Sequence, residues 1–258
     1  MSYLTRVIPC LLLKNQGLVK TVNFKNPTYL GDPINIVKIF NDKEVDELVL
    51  LDITATIERR KPNFSLIAQI ASECFMPLGY GGGIRCLDDI RQLLTLGLEK
   101  VIINSYAVEN QSFIKSAADE VGSQSIVVSI DVKRSQQGKP EVVLYSGAKG
   151  TGLDPVGFAR EIAAMGAGEI LLNSVERDGT MQGYDLDLVT QVSRAVHIPV
   201  VACGGAGSIQ DLVDAVKSGG ASAAAAGSLF VFQGRHRAVL ISYPSPKELQ
   251  AAFNYLCT

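Results

Sequence analysis

Two clusters of glycine stand where phosphate chemistry could be done. Gly81, Gly82 and Gly83 follow the short apolar run PLGY and precede an amphipathic segment; Gly204, Gly205 and Gly207 do the same after PVVAC. A chain without Cβ atoms can turn sharply and direct several backbone N–H groups at one anion, assisted by the positive end of the following helix. Such turns can equally serve only close helix packing, and a single cluster would not decide between the two. Here there are two, and the next apolar run of each half ends in Asn104-Ser105 or Gly227-Ser228. Gly82, Gly83, Asn104 and Ser105 are therefore expected to form one phosphate cradle, and Gly204, Gly205 and Ser228 a second.

The elements that must position these cradles read as eight apolar runs alternating with amphipathic segments: 6–13, 47–53, 77–80, 100–104, 125–131, 169–174, 199–203 and 222–226. That alternation predicts parallel strands joined by crossover helices, and continuous apolar strands suit a wall buried on both faces. The halves also resemble each other. Residues 77–97 align with 199–219, and 45–53 with 167–175, both at a spacing of 122, while 6–14 align with 125–133 at a spacing of 119. The expectation is an α/β fold, a single (β/α)8 TIM barrel over residues 1–258 built of two related half-barrels. The loops after the strands of such a barrel open on one face. Two cradles on opposite rims then imply a small-molecule bisphosphate lying across the mouth. TGLDPVG (151–157) and the stretch 233–248 read as long loops.

Composition narrows the partners. With 24 Lys and Arg against 26 Asp and Glu the net charge is -2, so neither nucleic acid nor a membrane surface is an expected partner. Five cysteines without CxxC spacing, Cys257 among them, argue against a disulfide framework and fit a reducing cytoplasm. The apolar run near the N-terminus is too short to span a membrane and reads as a strand. No metal motif is present and no cofactor is expected. His197 is expected to cap or pack, Cys10 and Cys203 to pack, and His236 to lie with Arg235 and Arg237 in a basic loop next to the barrel mouth that either contacts a phosphate or a partner or is simply solvated.

The strings CLLLK, GDPIN, ELVLLDITAT, GGGI, INSYAVEN, SIDVKR, YSG, GAGEILLNSVERDGTMQGYD and GGAG, colinear over roughly residues 4 to 232, resemble the HisF family, the cyclase subunits of imidazole glycerol phosphate synthase. The resemblance implies a subunit that takes ammonia from a HisH-like glutaminase, in a heterodimer, to split and cyclise a bisphosphate nucleotide into an imidazole. It implies two aspartates as acid and base at the ends of the first and fifth strands. Asp131 stands at the fifth-strand position, but Leu12 stands at the first, and leucine cannot transfer a proton. Lys20, Asp52, Ser146, Asp178 and Gly179 match family substrate-site positions, and Asn173 stands where the family usually has threonine. Arg6, Glu47, Lys100 and Glu169 match a charged ring that gates ammonia at the glutaminase-docking end.

The segment GRHRAVLISYPS departs from ordinary HisF and resembles a variant group associated with cell-surface polysaccharide, where ammonia would go to a sugar amidotransferase to make an acetamidino sugar. Three readings stay open: a cyclase with altered acid/base chemistry, an ammonia-supplying paralogue, and a non-catalytic activator of the glutaminase. Asp131 could also be a structural carboxylate paired with Lys133 or Lys20. A HisA-type isomerase would share the repeat and cradles, but the charged ring and ERDGTMQGYD look like HisF.

Overall fold

A two-residue alternation of side chains builds the architecture. On β1 (Arg6–Lys14), Val7, Leu11 and Leu13 pack outward against helices, while Ile8 and Cys10 join a separate inner cluster. The computed structural model describes residues 5–254. The same period continues through β2 (Leu48–Asp52), β3 (Leu78–Gly81), β4 (Lys100–Ile103), β5 (Ile126–Arg134), β6 (Glu169–Ser174), β7 (Val200–Cys203) and β8 (Ala223–Ala226). Each strand pairs in parallel with the next, and β8 closes on β1 through Arg6–Pro9 against Ala223–Ala226. This is the expected (β/α)8 barrel. Its strands fall within one residue of the expected bounds, except that β5 continues to Arg134.

The inward ladders differ from strand to strand. β1 presents Arg6, Ile8, Cys10 and Leu12; β6 presents Glu169, Leu171 and Asn173; β5 presents Val127, Ser129 and Asp131. β1 and β6 thus start on a charge, a packed apolar layer lies between, and β5 and β6 end on the polar Asp131 and Asn173. From Arg6 to Leu12 the strand advances about 20 Å, at roughly 3.3 Å per residue.

Two antiparallel excursions leave the barrel at equivalent points. Gly17–Val22 and Lys25–Gly31 follow β1, with Leu12 opposite Val19; Pro140–Leu144 and Lys149–Gly150 follow β5, with Val132 opposite Val142. After each excursion an Asp-Pro pair starts a helix. Asp32 accepts from the amide of Asn35 ahead of Pro33–Asp42, and Asp154 from that of Gly157 ahead of Pro155–Ala164.

The 151–157 stretch is therefore loop only as far as Asp154, because Asp154 caps a helix. The 233–248 stretch is also not all loop. Phe232–Gln233 pairs with Ala238–Val239 as a hairpin, and a helix runs Pro246–Asn254. His197 is exposed on the turn before β7 and does not pack as expected. No helix of the described residues is long and apolar enough to cross a membrane. The four described cysteines are free, and Cys257 lies outside the described residues.

Candidate functional site

At the strand ends the barrel opens into a cavity of about 1290 Å³, its mouth included, lined by Leu12, Asp131, Asn173 and both glycine clusters. Asp131 reaches it from the inward face of β5. Its two carboxylate oxygens accept from Asn173 Nδ2 at 3.2 Å and Asn104 Nδ2 at 3.1 Å. Among the described residues no ion pair joins it to Lys133 or Lys20. Burial pushes the carboxyl up to about 6, with the negative charge of Asp178 adding to the rise and the two amide hydrogen bonds opposing it. A carboxyl poised there can both hold and release a proton near neutrality. Asn173 has a further feature: its Oδ1 is buried with no hydrogen-bond partner among the described residues.

Leu12 and Asp131 are counterparts in the two half-barrels, at the spacing of 119 residues. Across the strand pairing Leu12 stands beside Leu51, whereas Asp131 stands beside Asn173. One half of the floor is polar and its counterpart is apolar.

The remaining polar residues expected at the site divide by what they already hold. Lys20 Nζ donates to Asp178 Oδ1 at 2.8 Å, and Thr21 Oγ1 to Asp178 Oδ2 at 3.1 Å, joining the first excursion to the loop after β6. Lys20 thus serves Asp178 instead of Asp131. Asp52 accepts from the amides of Thr54 and Ala55 and pairs with Arg60 at 3.1 Å, shaping the loop after β2. Ser146 lines the cavity from an exposed position and donates to Ile53 O at 3.3 Å. Ser105 Oγ donates to Asn104 Oδ1 and accepts from Tyr145 N, and Asn104 Nδ2 also reaches Ser129 O. The side chains of Asn104 and Ser105, expected to face a phosphate, are engaged within the protein.

The glycines are required by the fold. A Cβ on Gly82 (φ +125°) would lie 2.5 Å from Asp52 O, and one on Gly205 (φ +122°) would lie 2.1 Å from Gly183 O. Close packing alone accounts for them, and it leaves their backbone on the cavity wall.

Sequence reasoning placed Arg237 in a basic loop that could contact a phosphate or a partner, without singling it out from its neighbours. The hairpin after β8 carries it to the cavity wall, where Nη2 donates to Gly179 O at 3.0 Å and Ser228 Oγ at 3.2 Å. Phe232 supports the guanidinium from below, 4.7 Å from the ring centre. The basic string GRHR was the available signal, but His236 and Arg235 beside it are exposed.

At the opposite end of the barrel four charges close a ring. Arg6 donates to Glu47 Oε2 and Glu169 Oε1, each at 2.5 Å, and Lys100 Nζ reaches Glu47 at 2.9 Å and Glu169 at 2.6 Å. Both glutamates are buried. A small cavity directly inside is walled by Ile8, Val49, Ile102, Val127, Leu171 and Val201.

The profile of a family described as Histidine biosynthesis protein matches residues 6–237. A protein of Pseudomonas aeruginosa named "Putative imidazole glycerol phosphate synthase subunit hisF2" is 53% identical over 244 residues, covering 95% of this chain and 97% of its own length. One of Leptospira interrogans, "Putative imidazole glycerol phosphate synthase subunit HisF", is 47% identical across 96% of this chain and 98% of its own. The "Imidazole glycerol phosphate synthase subunit HisF" of Alkaliphilus metalliredigens is 48% identical across 87% of this chain and 89% of its own.

Proposed function

The chain belongs to the histidine biosynthesis protein family, among its HisF-type members, and from that premise we propose that it is a synthase subunit that receives ammonia from a HisH-like glutaminase. The observation that carries this reading is the closed ring of Arg6, Glu47, Lys100 and Glu169, with the apolar inner layer of the barrel between it and the mouth cavity. Four charges that satisfy one another can close an opening to water, and a path along apolar side chains would offer little to hold a small neutral molecule back. On the ring's face Phe75, 84% exposed in the loop before β3, supplies an apolar contact of the kind a docked glutaminase would cover.

At the mouth, the two glycine cradles would hold a bisphosphate and Asp131 would exchange protons with it or with ammonia. The reaction of the resemblance is an imidazole-forming cyclisation. Leu12 favours a second reading, in which the ammonia passes to another acceptor such as a sugar amidotransferase making an acetamidino sugar. A positioned acid or base is worth about 10² to 10⁴ in rate, and this chain has one carboxyl where that chemistry uses two.

Glutaminase activity of a HisH-like partner, measured with and without this chain and with the bisphosphate nucleotide added, separates the readings. Imidazole formed at ordinary enzymatic rates supports the cyclase. Stimulated glutaminase without imidazole supports ammonia supply to a different acceptor, and no stimulation rejects both.

A further inference from the structure

The half-barrel repeat breaks at one chemically important position. In the first half Arg85 follows the glycine cluster, lines the cavity, and lies with its guanidinium 5.9 Å from the centre of the Tyr106 ring. Moved by the repeat spacing of 122, position 85 falls on Gly207, so the second cluster has no arginine of its own. Arg237 arrives instead from outside the repeat, on the hairpin Phe232–Gln233 and Ala238–Val239, and reaches Gly179 and Ser228, which line the cavity together with Gly204 and Gly205. It too rests on an aromatic ring at the rim. The two halves have reached the same pairing of glycine cluster, guanidinium and supporting ring by different stretches of chain.

We propose that Arg237 is a ligand of the second phosphate group, and that the hairpin is a strap that brings it there. The proposal rests on the bisphosphate reading and sharpens it: the ligand would carry a phosphate monoester at each end, each met by one guanidinium. Among the described residues neither Arg85 nor Arg237 is in an ion pair with a carboxylate. Asp178, the nearby acid, is already matched by Lys20. The second cradle therefore has an uncompensated positive charge at its edge.

Only Nη2 of Arg237 has hydrogen-bond partners among the described residues, which leaves Nε and Nη1 as donors. Ser228 Oγ accepts from Arg237 and keeps its own hydrogen for an oxygen in the cavity. A phosphate oxygen taking that hydrogen would come within reach of the guanidinium. The backbone at Arg237 has φ +50°, an uncommon conformation for a residue other than glycine, as expected if the side chain matters more than local ease of the turn.

The test is calorimetric titration of the full chain with inorganic phosphate and with fructose 1,6-bisphosphate as a general sugar bisphosphate. Arg237→Gln should weaken the bisphosphate by about tenfold to a hundredfold, the range of a lost charge-assisted contact, and should abolish one of two phosphate sites. Arg85→Gln should remove the other, and Arg237→Lys should fall between wild type and Arg237→Gln.

In the wild-type chain, the bisphosphate should slow tryptic cleavage after Arg237, a readout that needs no variant to fold. Unchanged bisphosphate affinity in a folded Arg237→Gln, or no protection from trypsin, overturns the role of Arg237 while leaving the bisphosphate reading intact. A wild-type chain that binds neither anion overturns both.

Discussion

Leu12 and Asp131 hold the same register in the two half-barrels, and the difference between them governs what the mouth can do. Asp131 has two amide donors to steady it, whereas the Leu12 side chain stands beside Leu51 and is itself buried. Leu12→Asp is expected to lower stability, since a carboxyl placed there gains no comparable donors, and to raise imidazole formation by about 10² or more. Steady-state assays with ammonium salts check this, and a folded variant with no gain counts against the cyclase reading.

Asp131 makes a second prediction through its proton. Its folded pKa, about 6, lies above the roughly 3.9 of an unfolded chain. The folded state therefore binds this proton more tightly. The side chain imposes no penalty below about pH 4, and the penalty grows as pH rises through 6, reaching on the order of 3 kcal/mol once it is ionised. Asp131→Asn should accordingly gain in melting temperature relative to wild type between pH 4 and pH 7. A difference that stays flat with pH would show that the carboxyl is not held in the way its surroundings imply.

The first excursion acts at the scale of whole elements. Lys20 and Thr21 clamp Asp178, and Asn23 donates from its backbone to Asp178 O and from its side chain to Val175 O and Glu176 O, so the excursion and the loop after β6 are fastened together over the mouth. Both partners of the Lys20–Asp178 pair are buried, and removing one leaves a charge with no counter-ion. Asp178→Ala should lower the melting temperature by on the order of 10 °C, from a loss of about 3–5 kcal/mol. Adding Lys20→Met to that variant should recover part of the loss. A double variant no more stable than Asp178→Ala would mean that the clamp contributes through its other contacts.

The sequence revealed the barrel strands more clearly than this clamp, and the reason is physical. A strand buried on both faces announces itself as an unbroken apolar run, as in ELVLLDI or EILLNS. Lys25–Gly31 is mostly exposed, contains Asn26-Pro27, and carries no such signature. The positions of Asp131, the glycine clusters and the ring were legible from resemblance and spacing. Which polar groups were already engaged was not, because hydrogen bonds such as Ser105 to Asn104, or Arg237 to Gly179, depend on where loops distant in sequence come to rest.

Across the whole molecule the ring and the mouth occupy opposite ends of the barrel interior, and the inward ladders of β1, β4 and β6 link them: Arg6 to Leu12, Lys100 to Asn104 and Glu169 to Asn173. A ring of ion pairs at a barrel bottom could be purely structural, since it neutralises charges that strand ends bring together. The two roles differ in what one substitution does. Lys100→Met leaves the buried Glu47 and Glu169 sharing only Arg6, and should lower stability by about 3 kcal/mol in either case, discounted somewhat by the partial exposure of the ring.

If the ring also seals the barrel interior against water and loss of ammonia, the variant in complex with the glutaminase should incorporate less ammonia per glutamine hydrolysed. Its turnover with added ammonium salt, which needs no sealed path, should stay near the wild-type value. Stability lost with an unchanged incorporation ratio would make the ring a brace for the barrel, and ammonia would then have to enter by another route.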